Sequence, residues 1–483
     1  GAVPLKLKPS TTVEASFTRD SVKDIYRQII SDFTRAYHLL PTSSSGPGRL
    51  TQDAAAHYLA KAYLFRASEI NDSWNAATMT SDLDSVLVLA KQVIADRPLA
   101  PDYAALWAYT KPDGANEQLP EVILSAQFTN NTTTASNTQH LYYVSRYDDL
   151  PMMQRDISGD RPWSRLSPTY YMFEISDLVN DSRFWKSFRT KDRLNNASGG
   201  YYTNGDLGVM FVINQPGDNR FPGSQLKNTV VDTETGKTIP SVFVAYPEGV
   251  TTPGAFYKNP ARYPSLSKYI DGSRLSVNDQ RGFRDIILAR SAEDYLMAAE
   301  AEIRLHQYQQ ALQYINPVRQ RAAWKGGEDR ALYTDGGAAY PSSPLNQNPD
   351  INSFMPENSY YESNNIPVTT AATDLTVTDI NHLPAQDETI IQKLGYTSEY
   401  DRMMCFLLDE RSRELGGEYH RWVDLSRTGT LVKRVRAFNP DAAPFIQEYH
   451  HLRPIPQAYL DALEIDGHSL TAAQKQAQQN TGY

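Results

Sequence analysis

The carboxylates and histidines of this sequence decide first whether it can be an enzyme. It holds 56 Asp and Glu and nine His, enough for many reacting constellations. Glycoside hydrolysis needs two carboxyl groups set across a sugar at a defined separation. Asp148-Asp149 and Asp409-Glu410 are candidates by proximity, but solvated charge or structural ion pairing explains them better. His450-His451 offers two metal-ligating nitrogens. Adjacent residues of an extended segment point to opposite faces, so this pair makes a poor ligand set. No His-Glu-x-x-His, Gly-x-Ser-x-Gly or Walker loop occurs, and no Gly-x-Gly-x-x-Gly opens a helix. The single cysteine, Cys405, lies between Met404 and Phe406 and reads as a small buried hydrophobe. One cysteine leaves no internal disulfide and no cysteine-based zinc site.

The densest charge lies between Asp409 and Asp424. Glu410 with Arg413, and Glu414 with Arg411, are spaced for contact along one helix face. Arg421 and Asp424 follow a Gly416-Gly417 break. Buried arginines hold carboxylates in bidentate geometry and lock a scaffold, so this stretch reads as architecture. The net charge is -9, with Lys and Arg dispersed, which argues against nucleic acid. No segment approaches the apolar length of a membrane span.

The elements that must position any site are mainly helical. Residues 19–40 carry Val22, Ile25, Ile29, Phe33, Ala36 and Leu40 at helical spacing, with Asp20 or Ser21 as N-cap. Thr51 caps a second helix through Ala54 to Leu64, and a third runs near 81–95. Ser291 caps a fourth, which breaks at His306-Gln307 before a fifth reaching Val318. Small alanines on facing turns let such helices approach closely, as in degenerate tetratricopeptide-type pairs. The helical blocks are 19–97 and 286–323. Between and after them, 98–285 and 324–400 are loop-rich insertions full of Gly, Pro, Asn, Ser and Tyr, including Asn346 to Asp350. Short strands are expected at 208–213 and 241–245.

Ordered signatures run along the whole chain. Near the end stand Leu408 to Leu415, then Arg421-Trp422-Val423-Asp424-Leu425, Leu452-Arg453-Pro454-Ile455-Pro456 and Gln479 to Tyr483. Earlier come Gly1-Ala2-Val3-Pro4-Leu5, Ile25 to Pro41, Gly48 to Leu64, Glu121 to Ser125, Asp181-Ser182-Arg183-Phe184, Arg290 to Glu300 and Ile315 to Arg319. Together they resemble the SusD/RagB family of Bacteroidetes nutrient-binding lipoproteins, with 401–483 as the C-terminal signature region. Thr481 departs from the proline that many members carry in the closing Asn-Pro-Gly-Tyr.

The resemblance implies a mainly α, SusD-like fold spanning 1–483 as one domain. Degenerate tetratricopeptide-type helix pairs would carry a loop-rich ligand-binding face and few short strands. It implies a surface-exposed lipoprotein of the outer membrane, without catalysis or cofactor. Such a protein captures an oligosaccharide or polysaccharide for a SusC-like TonB-dependent transporter. In the family, the Gly-x-Val-Pro-Leu segment lies well inside the chain. A missing N-terminal part is therefore expected to carry the signal peptide, the lipidated cysteine and the first helices. The alternatives are a peptide-binding member, a tetratricopeptide scaffold for protein partners and a glycoside hydrolase.

Sugar C–H faces stack on aromatic rings while amides, carboxylates and guanidinium groups bond the hydroxyls. With 30 Tyr, 16 Phe and 6 Trp, the aromatics inside the insertions are the ligand candidates. They are Trp74, Trp163, Trp185, Tyr201, Tyr202, Trp324, Tyr360 and Tyr361, with Asn204 as a polar neighbour. For any single ring, packing in the core is the commoner role. Trp107 and Trp422, in more regular apolar settings, are expected to be structural.

Overall fold

The computed structural model describes residues 2–129, 131, 133, 137–221, 230–250, 261–333, 335–337 and 352–483. The Asn346 to Asp350 run, with part of the 324–400 insertion, falls outside these residues. The fold is mainly α, with 40% helix and 9% strand.

Three helices open the chain: α1 (Val22–Leu39), α2 (Gln52–Arg66) and α3 (Met79–Asp96). Ser21 caps α1 by accepting from the Asp24 amide, and Thr51 caps α2 by accepting from the Ala54 amide. Ala54, Ala55, Ala56, Ala60 and Ala62 are all buried on α2, which packs against both α1 and α3. A helix with so little side chain on its contact faces can be flanked closely on two sides.

The second helical block is α4 (Ser291–Arg304) and α5 (Tyr308–Ala322), an antiparallel pair that turns at His306 with a left-handed φ of 59°. α3 packs on α4 despite the long insertion between them. Ser291 does not cap α4. The cap position is Arg290, the last residue of a strand that runs directly into the helix, and the Ser291 hydroxyl is buried without a partner.

Then come α6 (Ala385–Leu394), α7 (Glu399–Leu415), α8 (Arg421–Arg427) and α9 (Leu431–Phe438). α7 is the central helix. Every residue from Met403 to Leu415 is buried, and it packs on α4, α5 and α6.

Strands are few and short. β1 (Val122–Ala126) pairs antiparallel with β5 (Ile286–Arg290), which ties the start and end of the first insertion to the helices. β2 (Lys191–Arg193), β3 (Leu207–Val212) and β4 (Ser241–Val244) form a three-stranded sheet, antiparallel then parallel. β3 is buried on both faces. Val209 and Phe211 enter an aromatic core, while Met210 and Val212 enter a smaller one with Val244. That is why its sequence is continuously apolar rather than alternating.

Candidate functional site

The candidate reacting carboxylates are occupied by ion pairs. Asp148 accepts from Arg146 at 3.1 Å and Arg155 at 2.8 Å, and Asp149 pairs with Arg262 at 2.7 Å. Asp409 is buried against Arg434 at 2.8 Å and accepts from the Tyr171 hydroxyl at 2.5 Å. His450 and His451 diverge: one Nδ1 contacts the Gln447 carbonyl, the other the Ser426 carbonyl. Among the described residues, no three His, Cys, Asp or Glu side chains gather as metal ligands.

The charges on and after α7 form one buried lattice. Glu410 pairs with Arg183 at 2.7 Å, Arg319 at 2.8 Å and Arg413 at 2.9 Å. Glu414 pairs with Arg290 at 2.6 Å, Arg183 at 3.1 Å and also Arg321. It does not meet Arg411, whose partners are Asp424 at 2.7 Å and Glu293 at 3.1 Å. Glu418 holds Arg290 and Lys268, each at 2.8 Å. Burial raises the carboxyl pKa of Glu414, but Arg321, Arg290 and Arg183 outweigh it and hold the group at about 2. Glu418 likewise lies at about 2, where Arg290 and Lys268 outweigh its burial. These arginines come from the chain before α4, from α5 and from the 181–189 segment. The lattice therefore stitches the insertion to the helices.

The aromatic candidates divide. Trp185, Trp324 and Tyr360 are brought together from distant stretches, but inside the protein, at 0%, 1% and 0% exposure. Tyr360 stands edge-on to Trp185 at 5.4 Å and to Trp324 at 5.8 Å, so no face of these rings is open to a ligand. Tyr361 is half-buried beside Tyr360 and donates to the Thr369 carbonyl. Their polar sequence neighbours suggested loops, yet long-range packing covers the rings.

Tyr201, by contrast, is 54% exposed at the tip of a turn that follows Gly199 and Gly200, both at positive φ. Tyr202 beneath it is half-buried, edge-on at 4.7 Å, and its hydroxyl donates to the Thr238 carbonyl. Asn204 accepts from the Ala197 amide and closes this turn. Trp163 is half-buried and stands edge-on to Tyr142 at 5.4 Å.

Trp74, on the one-turn helix Asp72–Asn75, reaches a different place, a groove of about 2100 Å3. Its floor is the α1 face formed by Val22, Ile25, Ile29 and Phe33, joined by Tyr58 and Phe65 of α2. This apolar stripe has the helical spacing read from the sequence, yet only Ile30 of α1 is buried. Trp107 is buried as expected, but Trp422 is not. It is 37% exposed on the groove wall, with the Arg453 guanidinium 4.5 Å from its ring centre. Tyr419, unforeseen from the sequence, sits on the same wall.

The comparisons with known proteins agree with this architecture. A model of the SusD family matches residues 120–464. A second model, described as "starch-binding associating with outer membrane", matches residues 1–64. No curated protein matches the sequence. Among solved structures, a SusD homolog from Bacteroides thetaiotaomicron is similar with a TM-score of 0.57 at 16% identity, over 98% of this chain and 72% of that one. A SusD superfamily protein from Parabacteroides distasonis gives 0.55 at 17% identity, over 100% and 74%. Surface glycan-binding protein A from Bacteroides uniformis gives 0.50 at 15% identity, over 99% and 73%. These identities speak for the fold alone; the family model, covering most of the sequence, speaks for descent. The chain belongs to the SusD family.

Proposed function

We propose that this protein binds an oligosaccharide or polysaccharide at the cell surface without catalysis and delivers it to a SusC-like TonB-dependent transporter of the outer membrane. In this reading a lipid anchor holds it there. The observation that carries the reading is a division of labour. The clustered carboxylates of α7 are committed to buried ion pairs, while Tyr201 stands exposed and Trp163 half-buried on turns of the insertion. The outer-membrane, starch-binding description of the family matched at residues 1–64 supports it, as does the name of the Bacteroides uniformis neighbour.

Affinity electrophoresis of the purified protein against a polysaccharide panel tests the proposal, with a reducing-end assay run alongside. Retardation by at least one polysaccharide without release of reducing ends is expected. Release that a single carboxylate substitution abolishes would make the protein a hydrolase instead. One observation favours a second reading, a peptide ligand: the groove beside Trp74 is mainly apolar, which suits apolar side chains better than hydroxyls. Binding of an oligopeptide mixture and of no glycan would select it.

A further inference from the structure

Helices α1 to α5 pack in chain order, each against the next. In such a stack an end helix needs a polar outer face, because no further repeat covers it. α1 is the end helix, and its outer face is apolar. Val22, Ile25, Ile29 and Phe33 follow one another at steps of three and four residues, and all four line the groove beside Trp74. Residues at those steps form the ridge by which one helix seats against another. α2 shows what a covered helix looks like here: nine of its 15 residues are buried, against one of 18 on α1. The size of the groove also fits a helix. At 1.5 Å rise and about 10–12 Å diameter, each helical residue fills roughly 120–170 Å3. The groove's volume of about 2100 Å3 then holds roughly 12–17 residues. A single fatty acyl chain is far thinner and would leave most of it unfilled.

The groove carries the opposite sign from the protein around it. The chain has a net charge of -9. Yet Arg19, Arg421 and Arg453 line the groove, and each is held by neutral groups. Arg19 donates to the Asn480 amide oxygen at 3.2 Å. Arg421 donates to the Leu408 carbonyl at 2.8 Å and the Tyr171 hydroxyl at 2.9 Å. The Arg453 guanidinium lies over the Trp422 ring. Among the described residues, no carboxylate comes within ion-pair distance of any of the three. Two carboxylates line the groove. Asp424 is buried against Arg411 and Arg427, which leaves Glu448, 3.5 Å from His451. An apolar trough with unmatched guanidinium groups suits an amphipathic, anionic occupant.

We propose that the groove receives an amphipathic helix of a partner protein, its apolar stripe on α1 and its flanking carboxylates on Arg19, Arg421 and Arg453. In helix-in-groove docking the apolar face supplies most of the affinity, and the charges beside it choose the partner. The inference does not depend on the glycan-binding reading, since neither Tyr201 nor Trp163 lines the groove. It also differs from the peptide-ligand reading. It requires an apolar stripe at helical spacing, which a mixture of short oligopeptides lacks.

The test titrates the protein into three labelled synthetic peptides of ~15 residues, read by fluorescence anisotropy, with circular dichroism following helix formation. The first has an apolar stripe at helical spacing flanked by Glu. The second carries Lys at the same flanks. The third has the residues of the first rearranged so that no stripe forms. The Glu peptide should become helical on binding and bind about tenfold more tightly than either of the others. Its affinity should fall with added salt. Arg453→Gln, at an exposed side chain, should weaken it about threefold, and Ile25→Ser, on the floor, about tenfold. If Ile25→Ser fails to fold, Arg453→Gln decides alone. A protein that treats the three peptides alike, prefers the Lys peptide or binds none of them overturns the proposal. Phosphatidylglycerol vesicles run alongside. Binding to the vesicles that Arg453→Gln weakens, with no peptide bound, would assign the groove to an anionic lipid surface and overturn the helix.

Discussion

Around α7 the charged side chains face inward. Glu410 and Glu414 are fully buried and each meets three arginines; Glu418, also buried, meets Arg290 and Lys268. In the first insertion the aromatic side chains go both ways. Trp185 is core, Tyr201 is exposed, and the Tyr142–Trp163 pair is half-buried between the two. Physical cost separates the two regions. A carboxylate taken out of water needs cations around it, so a buried one is already committed to its partners. An aromatic ring gains about 1.5–3 kcal/mol from burial, so a ring left outside forgoes stability that the fold offers elsewhere. Residue types that suggest catalysis are here the scaffold, and residue types that suggest a core include the exposed surface.

The comparison breaks most visibly at Glu414. Glu414→Gln leaves Arg183, Arg290 and Arg321 short of a charge in a buried setting. A loss of about 3–5 kcal/mol is expected, read as a large fall in melting temperature or insoluble protein. An unchanged melting temperature would mean that the lattice is not what holds the insertion to the helices. Trp185→Ala, or Trp324→Ala, should cost about 3–5 kcal/mol in a denaturant titration, since each empties a fully buried site.

The charge lattice also sets a pH dependence. Glu414 and Glu418 have folded pKa values of about 2, below the ordinary 4.5. Their stabilisation is fully present above pH 4.5 and is lost as pH falls toward about 2. His57 behaves oppositely. Burial disfavours its imidazolium, but Asp294 and Glu293 more than offset this and raise the pKa from 6.5 to about 9. Its contribution is complete below pH 6.5 and disappears as pH rises through about 9. Melting temperature against pH should therefore fall on both sides, and His57→Gln should flatten the alkaline limb. An alkaline limb identical in parent and variant would remove His57 from the account.

The smallest expected effect lies at the surface. Tyr201→Ala should leave melting unchanged to within about 0.5 kcal/mol, as exposed substitutions do. It should weaken glycan binding severalfold if this turn touches the ligand.

Much of the fold was legible because caps and periodicity are local. Ser21 and Thr51 act where their side chains can reach the first free amides. Ser291 misled because Arg290 ends a strand, and strand pairing is not visible in the capping pattern. The α1 stripe was correctly seen as apolar, but periodicity names a face without saying what covers it. Arg411 was near Glu414 in sequence, yet longer-range partners on α4 and α8 took it. The site was less legible for the same reason. Trp185, Trp324 and Tyr360 lie in polar-looking segments and are buried by one another. Tyr419 sits inside a signature read as architecture. Only its backbone angle and exposure single it out.

The central claim is that buried charge carries the fold and exposed rings carry the ligand. It is tested most directly by measuring melting and polysaccharide affinity on Glu414→Gln and Trp163→Ala side by side, with affinity referred to folded protein. The account predicts a crossed result. Glu414→Gln loses stability but binds as the parent does when folded, while Trp163→Ala loses affinity with little change in melting. A Glu414→Gln protein that melts like the parent and no longer binds would place the ligand site in the charge lattice and contradict the account.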